Sequence, residues 1–263
     1  MKISIITATY NSATTILDCI NSINDQTYND IEHIIIDANS TDKTVEIIRS
    51  NPNRVIKIVS EPDKGIYYAL NKGLSIATGD IVGFLHSDDY YASQDTISSI
   101  VGCFEAKINI NFDKTDGVYG DIHYIDRGNS RRIIRNWKSR TFQPSLIPRG
   151  WMPPHTSLFL LREVYDKHGC FDESFKISAD YDFMLRIFQD NSLNFTYLPQ
   201  VITKMRVGGL SNKGFRNIIN KSTEDYLSIC KNRIPHPWYV LFLKNINKFP
   251  QFCNRKGEAM VAL

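Results

Sequence analysis

The sequence has neither of the two glycine-rich devices that most often hold a nucleotide. No Gly-x-Gly-x-x-Gly follows the first predicted strand, and no Gly-x-x-x-x-Gly-Lys ending in Ser or Thr occurs anywhere. That argues against a dinucleotide-dependent dehydrogenase and a P-loop enzyme. Any nucleotide must then be held by polar side chains and a metal. The five cysteines (Cys19, Cys103, Cys170, Cys230 and Cys253) are odd in number and scattered, without a Cys-x-x-Cys pair. This spacing argues against a zinc site or a disulfide framework and for a reducing compartment. No apolar run approaches the ~20 residues of a membrane span. Lys2–Thr7 enters a strand without a basic leader, so no signal peptide is expected and the chain reads as cytoplasmic. Internal repeats and low-complexity segments are absent too. No aromatic residues interleave with Lys or Arg on a predicted sheet face, so no nucleic-acid partner is expected.

What is present suits a soluble α/β protein. The 263 residues allow one large domain or two small ones. The net charge of +3 conceals an asymmetry. Residues 1–200 carry 20 Lys and Arg against 25 Asp and Glu, whereas residues 201–263 carry 11 against 3. The basic tail suits an anionic partner: a membrane surface, a diphosphate or nucleic acid.

Strands and helices alternate from the start. Ile3–Ile6 is a predicted strand, followed by the polar loop Thr7–Ser12 and a helix capped by Asn11 or Ser12 with Ile16, Ile20 and Ile23 on one face. His33–Ile36 ends on Asp37, Asn39–Asp42 caps the next helix, and Val55–Val59 ends at Ser60–Gly65. The pattern predicts a parallel sheet with polar residues gathered at the carboxyl ends of its strands, where a ligand binds in such folds. Ala77–Tyr91 is the most informative stretch: a turn, an apolar strand, then His86-Ser87-Asp88-Asp89. Taken alone, Asp88-Asp89 reads as a helix N-cap or as ligands of a hard cation carrying a diphosphate. Further on, Gly117–Ile125, Ser157–Leu161, Asn194–Leu198 and Ile202–Arg206 are predicted strands. Ser178–Asp190 and Phe215–Cys230 are predicted helices, and Gly208–Ser211 is a flexible link.

Several motifs together resemble family 2 glycosyltransferases of the GT-A fold. They are Ile5–Asn11, Ile36–Asp42, Asp63–Tyr67, Asn71-Lys72-Gly73, Gly79-Asp80 with Phe84–Asp89, Phe171-Asp172-Glu173, and Asp180-Tyr181-Asp182 leading to Arg186. The resemblance implies transfer of a sugar from a nucleotide diphosphate sugar with inversion. Thr7, Ala8, Tyr10 and Asp37 would line the nucleoside pocket. Asp88, with His86, would hold Mn²⁺ or Mg²⁺, and Asp180 falls where the family places its general base. Four positions depart from the commoner pattern: Ala38 and His86 each replace an aspartate, Leu70 an arginine and Ala179 a glutamate. Diphosphate charge would then meet Lys64, Lys72 or Arg206, and reading of the base would rest on Asp37.

Other residues admit two readings. His155 either positions the acceptor or departing diphosphate, or is structural. Asp182 reads as a solvated first-turn carboxylate, and Arg186 as an ion-pair partner within the helix layer. Arg131, Arg132, Arg135, Lys138 and Arg140 read as one solvated strand edge or as a binding patch. Trp238–Leu243 suits an interfacial helix or a packed terminal one. The expected whole is an α/β GT-A domain over residues 1–215, a mixed and mostly parallel sheet flanked by helices, with a basic helical extension over 216–263. It is expected to move a sugar from a nucleotide diphosphate donor, expected to be a UDP-sugar, to a polyprenyl-diphosphate-linked saccharide at the inner membrane surface, in O-antigen or capsule assembly. The alternatives are a nucleotide-sugar-binding protein without catalysis and a basic nucleic-acid-binding α/β protein.

Overall fold

The computed structural model describes residues 1–51, 56–108, 114–208 and 215–253. Its first half is the predicted alternation: β1 (Ile3–Thr9), α1 (Ile16–Asn24), β2 (Ile31–Asp37), α2 (Thr44–Ser50), β3 (Ile56–Ser60), α3 (Ile66–Ile76) and β4 (Ile81–Phe84). β1, β2 and β4 are buried along their whole length, as strands covered on both faces must be. β2 and β4 pair with β1 in parallel, and β3 pairs in parallel with β2. Two close approaches set the spacing of this core. A Cβ on Gly73 of α3 would meet Ile6 Cγ2 at 2.4 Å, and one on Gly83 would meet the Phe159 ring at 2.2 Å. A larger residue at either position requires the facing side chain, Ile6 or Phe159, to shift.

The second half turns the sheet mixed. β5 (Tyr90–Tyr91), α4 (Thr96–Ile108), β6 (Gly117–Ile125), β7 (Ile133–Trp137), β8 (Leu158–Leu161), α5 (Arg162–His168), α6 (Ala179–Phe188) and β9 (Phe195–Arg206) follow. α7 (Phe215–Lys231), α8 (Pro237–Ile246) and α9 (Pro250–Cys253) end the described chain. The nine strands among the described residues form one sheet in the order β3-β2-β1-β4-β8-β6-β9-β5, with β7 added on β6. β8 runs antiparallel between β4 and β6, while β6 and β9 are parallel.

Several local expectations change. The two short strands predicted over 194–198 and 202–206 are one strand, β9, whose pairing with β6 shifts register around Tyr119–Ile122. Pro199 and Gln200 are exposed there, and a proline without an N–H fits such an irregularity. Asp88-Asp89 does not cap a helix; the Asp89 N–H donates to the His86 carbonyl at 3.0 Å in a turn leading to β5. Neither Asn11 nor Ser12 caps α1 through its side chain. Val55 and residues 209–211 lie outside the described residues. No helix among the described residues is long and apolar enough to cross a membrane.

Candidate active site

The carboxyl ends of β1, β2, β3 and β4 carry the polar loops, and side chains stitch those loops together. Asn11 and Asn39 both take positive φ (48° and 58°), a conformation asparagine tolerates better than most residues. Asn11 Oδ1 accepts the Thr41 N–H at 2.9 Å, and the Asn11 N–H donates to Ser40 Oγ at 2.9 Å. Asp42 accepts the N–H groups of Ala13 (3.1 Å) and Thr44 (2.9 Å), tying the loop after β2 to that after β1. Ser12 and Ser87 share a hydrogen bond of 2.8 Å, which adds the loop after β4. Bonds of this kind contribute about 0.5–1.5 kcal/mol each, enough together to hold an edge in one shape.

On this frame the expected nucleoside residues separate. Tyr10 is exposed and Ala8 sits at the edge of burial. The Thr7 side chain points into the fold. It is fully buried, and its hydroxyl bonds to His33 Nε2 at 3.0 Å. Asp37 is also fully buried. Its carboxylate accepts from the Ser40 N–H (3.0 Å), Ser40 Oγ (2.5 Å) and Ser60 Oγ (2.6 Å). It therefore shapes the loop after β2 with bonds already in place.

The cationic side chains separate as well. Lys72 is paired with Glu61 at 2.7 Å and Asp63 at 3.3 Å, while exposed Lys64 lies over the Tyr68 ring. Arg206 donates from Nη1 to the Asp88 carbonyl at 2.8 Å and from Nη2 to Asp18. Its own N–H reaches Asp89 Oδ1 at 3.2 Å. Arg206 thus buttresses the acidic turn from behind.

Four groups converge beyond β4: His86, Asp88, His155 and Asp180. The His155 ring stacks on Phe84 at 5.2 Å, meets Phe171 edge-on at 5.4 Å and lies 6.5 Å from the His86 ring. Burial pushes His155 down to about 4, against the pull of the Asp180 carboxylate. Burial likewise lowers His86, opposed by Asp88 and Asp180. Both rings are therefore neutral near pH 7. Asp89 is buried beneath, with one carboxylate oxygen lacking a hydrogen-bond partner; burial and then Asp88 raise it well above the usual carboxylate range. Tyr67, at the start of α3, lies 3.1 Å from Asp180 Oδ1 through its hydroxyl.

No cluster of three or more His, Cys, Asp or Glu among the described residues can hold a metal by itself. The donors at the turn are nevertheless of the right kind. Asp88 offers a half-buried carboxylate, and the neutral His86 imidazole offers a nitrogen lone pair. This set fits a divalent ion that takes its remaining ligands from a bound diphosphate, rather than a resident ion.

Two readings of neighbouring residues change. Asp182 is not solvated: it is fully buried and pairs with Arg186 (2.9 Å), Lys231 (3.3 Å) and Asn232 Nδ2 (2.9 Å). Arg186 also donates to the His168 carbonyl at 2.6 Å, so it binds the helix layer together as expected. Arg135 is not part of a solvated edge. Its guanidinium lies over Tyr124 (4.7 Å), Trp137 (4.8 Å) and Phe252 (5.4 Å), and its Nε donates to Gln251 at 2.7 Å. Arg131, Arg132, Lys138 and Arg140 are exposed. Tyr67 is the main site residue left without a role by the sequence, although it closes the Asp63–Tyr67 motif.

Comparison with known proteins gives the family and the fold. The family model described as "Glycosyl transferase family 2" matches residues 4–169. A PGL/p-HBAD biosynthesis glycosyltransferase of Mycobacterium tuberculosis is 30% identical over 213 residues, covering 80% of this chain and 78% of the relative. Among solved structures, Staphylococcus aureus TarS 1-349 in complex with UDP-GlcNAc superposes with a TM-score of 0.64 at 18% identity, covering 97% of this chain and 72% of that one. The mannosyltransferase PcManGT from Pyrobaculum calidifontis, in complex with GDP-Man and Mn²⁺, gives 0.65 at 20% identity, covering 97% and 73%. The sheet and its flanking helices are the GT-A fold. The chain belongs to glycosyltransferase family 2.

Proposed function

We propose that the protein is an inverting glycosyltransferase that moves a sugar from a nucleotide diphosphate donor, a UDP-sugar, to a lipid-linked saccharide. The observation that carries this is the convergence of Asp88, His86 and His155 with Asp180 at the carboxyl edge of the sheet. The reaction is a single displacement. The acceptor oxygen bonds to the anomeric carbon, the bond from that carbon to the diphosphate oxygen breaks, and the acceptor's proton passes to Asp180. No enzyme nucleophile is needed for one inversion, only a base beside the incoming hydroxyl. Asp88 and His86 would hold a divalent ion, Mn²⁺ or Mg²⁺, which when bound neutralises charge on the departing diphosphate. Neutral His155, on its aromatic floor, would donate a hydrogen bond to that diphosphate or to the acceptor.

A UDP-sugar is supported by the UDP-GlcNAc complex of the structural relative TarS, and GDP-Man by the other. Titration calorimetry of UDP, GDP and dTDP with Mn²⁺ tests this. Preferential binding of UDP is expected, and binding of none of the three overturns the reading.

The lipid acceptor brings the C-terminal helices in. Trp238, Tyr239, Phe242, Ile246 and Phe249 are all exposed on α8 and just beyond it, while Val240, Leu241 and Lys244 face inward. Within α8, spacing of 3 and 4 residues puts Tyr239, Phe242 and Ile246 on one outer face. Exposed aromatic side chains beside a strongly basic tail suit the headgroup region of an anionic membrane, in support of surface polysaccharide assembly at the inner leaflet. Trp238→Ser with Phe242→Ser is expected to abolish co-sedimentation with phosphatidylglycerol vesicles. Unchanged sedimentation overturns membrane docking.

A further inference from the structure

α6 starts at Ala179, one residue before Asp180, and its N-cap residue Ser178 makes no side-chain capping bond. The amides leading into the helix are gathered instead by α7. Glu224 Oε1 accepts the Lys176 N–H at 3.1 Å, and Oε2 accepts the N–H groups of Ile177 at 2.7 Å and Ser178 at 2.9 Å. The next residue, buried Asp225, accepts the Ser178 hydroxyl at 2.8 Å. Asp225 is held in turn by buried Lys244 of α8 at 2.7 Å. Burial works to raise the Asp225 carboxyl, and Lys244, Lys221 and the Ser178 hydroxyl together outweigh it, so the net direction is down. From the opposite side, the Tyr67 hydroxyl donates to the Ile177 carbonyl at 2.6 Å.

The turn over 176–178 is thus gripped through its N–H groups by α7 and through a carbonyl by α3. Hydrogen bonds from amides to a carboxylate are charge-assisted and short, and three on one group leave the turn little freedom. Only Ala179 separates Asp180 from that turn, so its carboxylate goes where the turn goes.

We propose that Glu224 is a positioning residue for Asp180, which makes α7 part of the catalytic unit even though it lies outside the family match over 4–169. The proposal rests on Asp180 being the general base. A misplacement of about 1 Å in a reacting group can cost on the order of 10²-fold in rate. Glu224→Gln turns an amide NH₂ toward at least one of the donors, and Glu224→Ala removes all three acceptor bonds.

The test is a cycle of Glu224→Gln, Glu224→Ala and Asp180→Asn, singly and combined, in the full chain. Sugar transfer gives kcat, calorimetry with UDP and Mn²⁺ gives nucleotide binding, and hydrogen exchange reports the amides of 176–178. Expected are losses in kcat of roughly tenfold for Gln and a hundredfold for Ala, faster exchange at 176–178, and unchanged UDP affinity. In the Asp180→Asn background neither substitution should lower the residual rate further, because residues acting as one unit are not additive. Wild-type kcat in both single variants, or the same loss in both backgrounds, overturns the proposal. Glu224→Gln, which keeps the side chain's shape, guards against reading misfolding as lost positioning. If Asp180→Asn alone keeps the wild-type rate, it is the base assignment that has failed, and that single variant tells the two failures apart.

Discussion

The Tyr67 hydroxyl lies 2.6 Å from the Ile177 carbonyl and 3.1 Å from Asp180 Oδ1. The hydroxyl faces two acceptors, a backbone carbonyl and a carboxylate, and its single proton can serve either. Tyr67 thereby ties the Asp180 carboxylate to the start of α3.

Tyr67→Phe is therefore expected to lower kcat by roughly tenfold, with nucleotide affinity unchanged, for loss of one hydrogen bond of about 1 kcal/mol or slightly more. Steady-state kinetics alongside a UDP titration checks this. Wild-type kcat in Tyr67→Phe contradicts it.

Asp182 provides the contrast. Its carboxylate is buried among Arg186, Lys231 and Asn232, two residues along from Asp180 on the same helix. Asp182→Asn should cost roughly 1–3 kcal/mol of stability through weakened partners. Its kcat should stay close to wild type. Denaturant melts and turnover on the same preparation separate the two effects, and a large kcat loss without destabilisation would move the base to Asp182.

How far the sequence reaches is visible in this pair. Motif order singled out Asp180 as the candidate base, because the stretch Asp180–Arg186 is local and its residue types carry the resemblance. The burial of Asp182 was not legible, since it depends on α7 folding back over α6 across 49 and 50 residues of sequence. The Tyr67–Asp180 contact spans 113 residues and leaves no periodic trace. Arg135 misled for the same reason: a strand-edge arginine looks solvated until Phe252, far along the chain, closes over it. Alternating strands and helices in the first half were readable because hydrophobic period and loop chemistry are both local. In the second half, Pro199 made one irregular strand read as two.

Metal dependence should pass through Asp88. Asp88→Asn is expected to abolish Mn²⁺-stimulated nucleotide binding and turnover while leaving the melting temperature near wild type, because the side chain is half-buried at a turn. Full activity of the wild-type protein in excess EDTA would sink this prediction.

Acid should weaken the fold through two histidines. Burial pushes His33 from 6.5 down to about 3 and His155 from 6.5 to about 4. In the unfolded chain both titrate near 6.5, so below that pH the unfolded state takes up protons the folded state refuses. Stability is present in full above about 6.5 and falls through the window down to about 4 and 3, by up to ~1.4 kcal/mol per pH unit for each ring. Urea denaturation at pH 7 and pH 5 should show the loss, and His33→Gln, which keeps a partner for Thr7, should reduce it. An equal loss in His33→Gln rules out His33 as a source.

The most direct measurement is the rate of sugar transfer by Asp180→Asn at saturating donor. Asparagine keeps the size of the side chain and removes its capacity to take a proton. With Asp180 as the base, kcat falls by roughly 10²–10⁴ while UDP binds as tightly as to the wild type. Transfer at the wild-type rate would contradict the account.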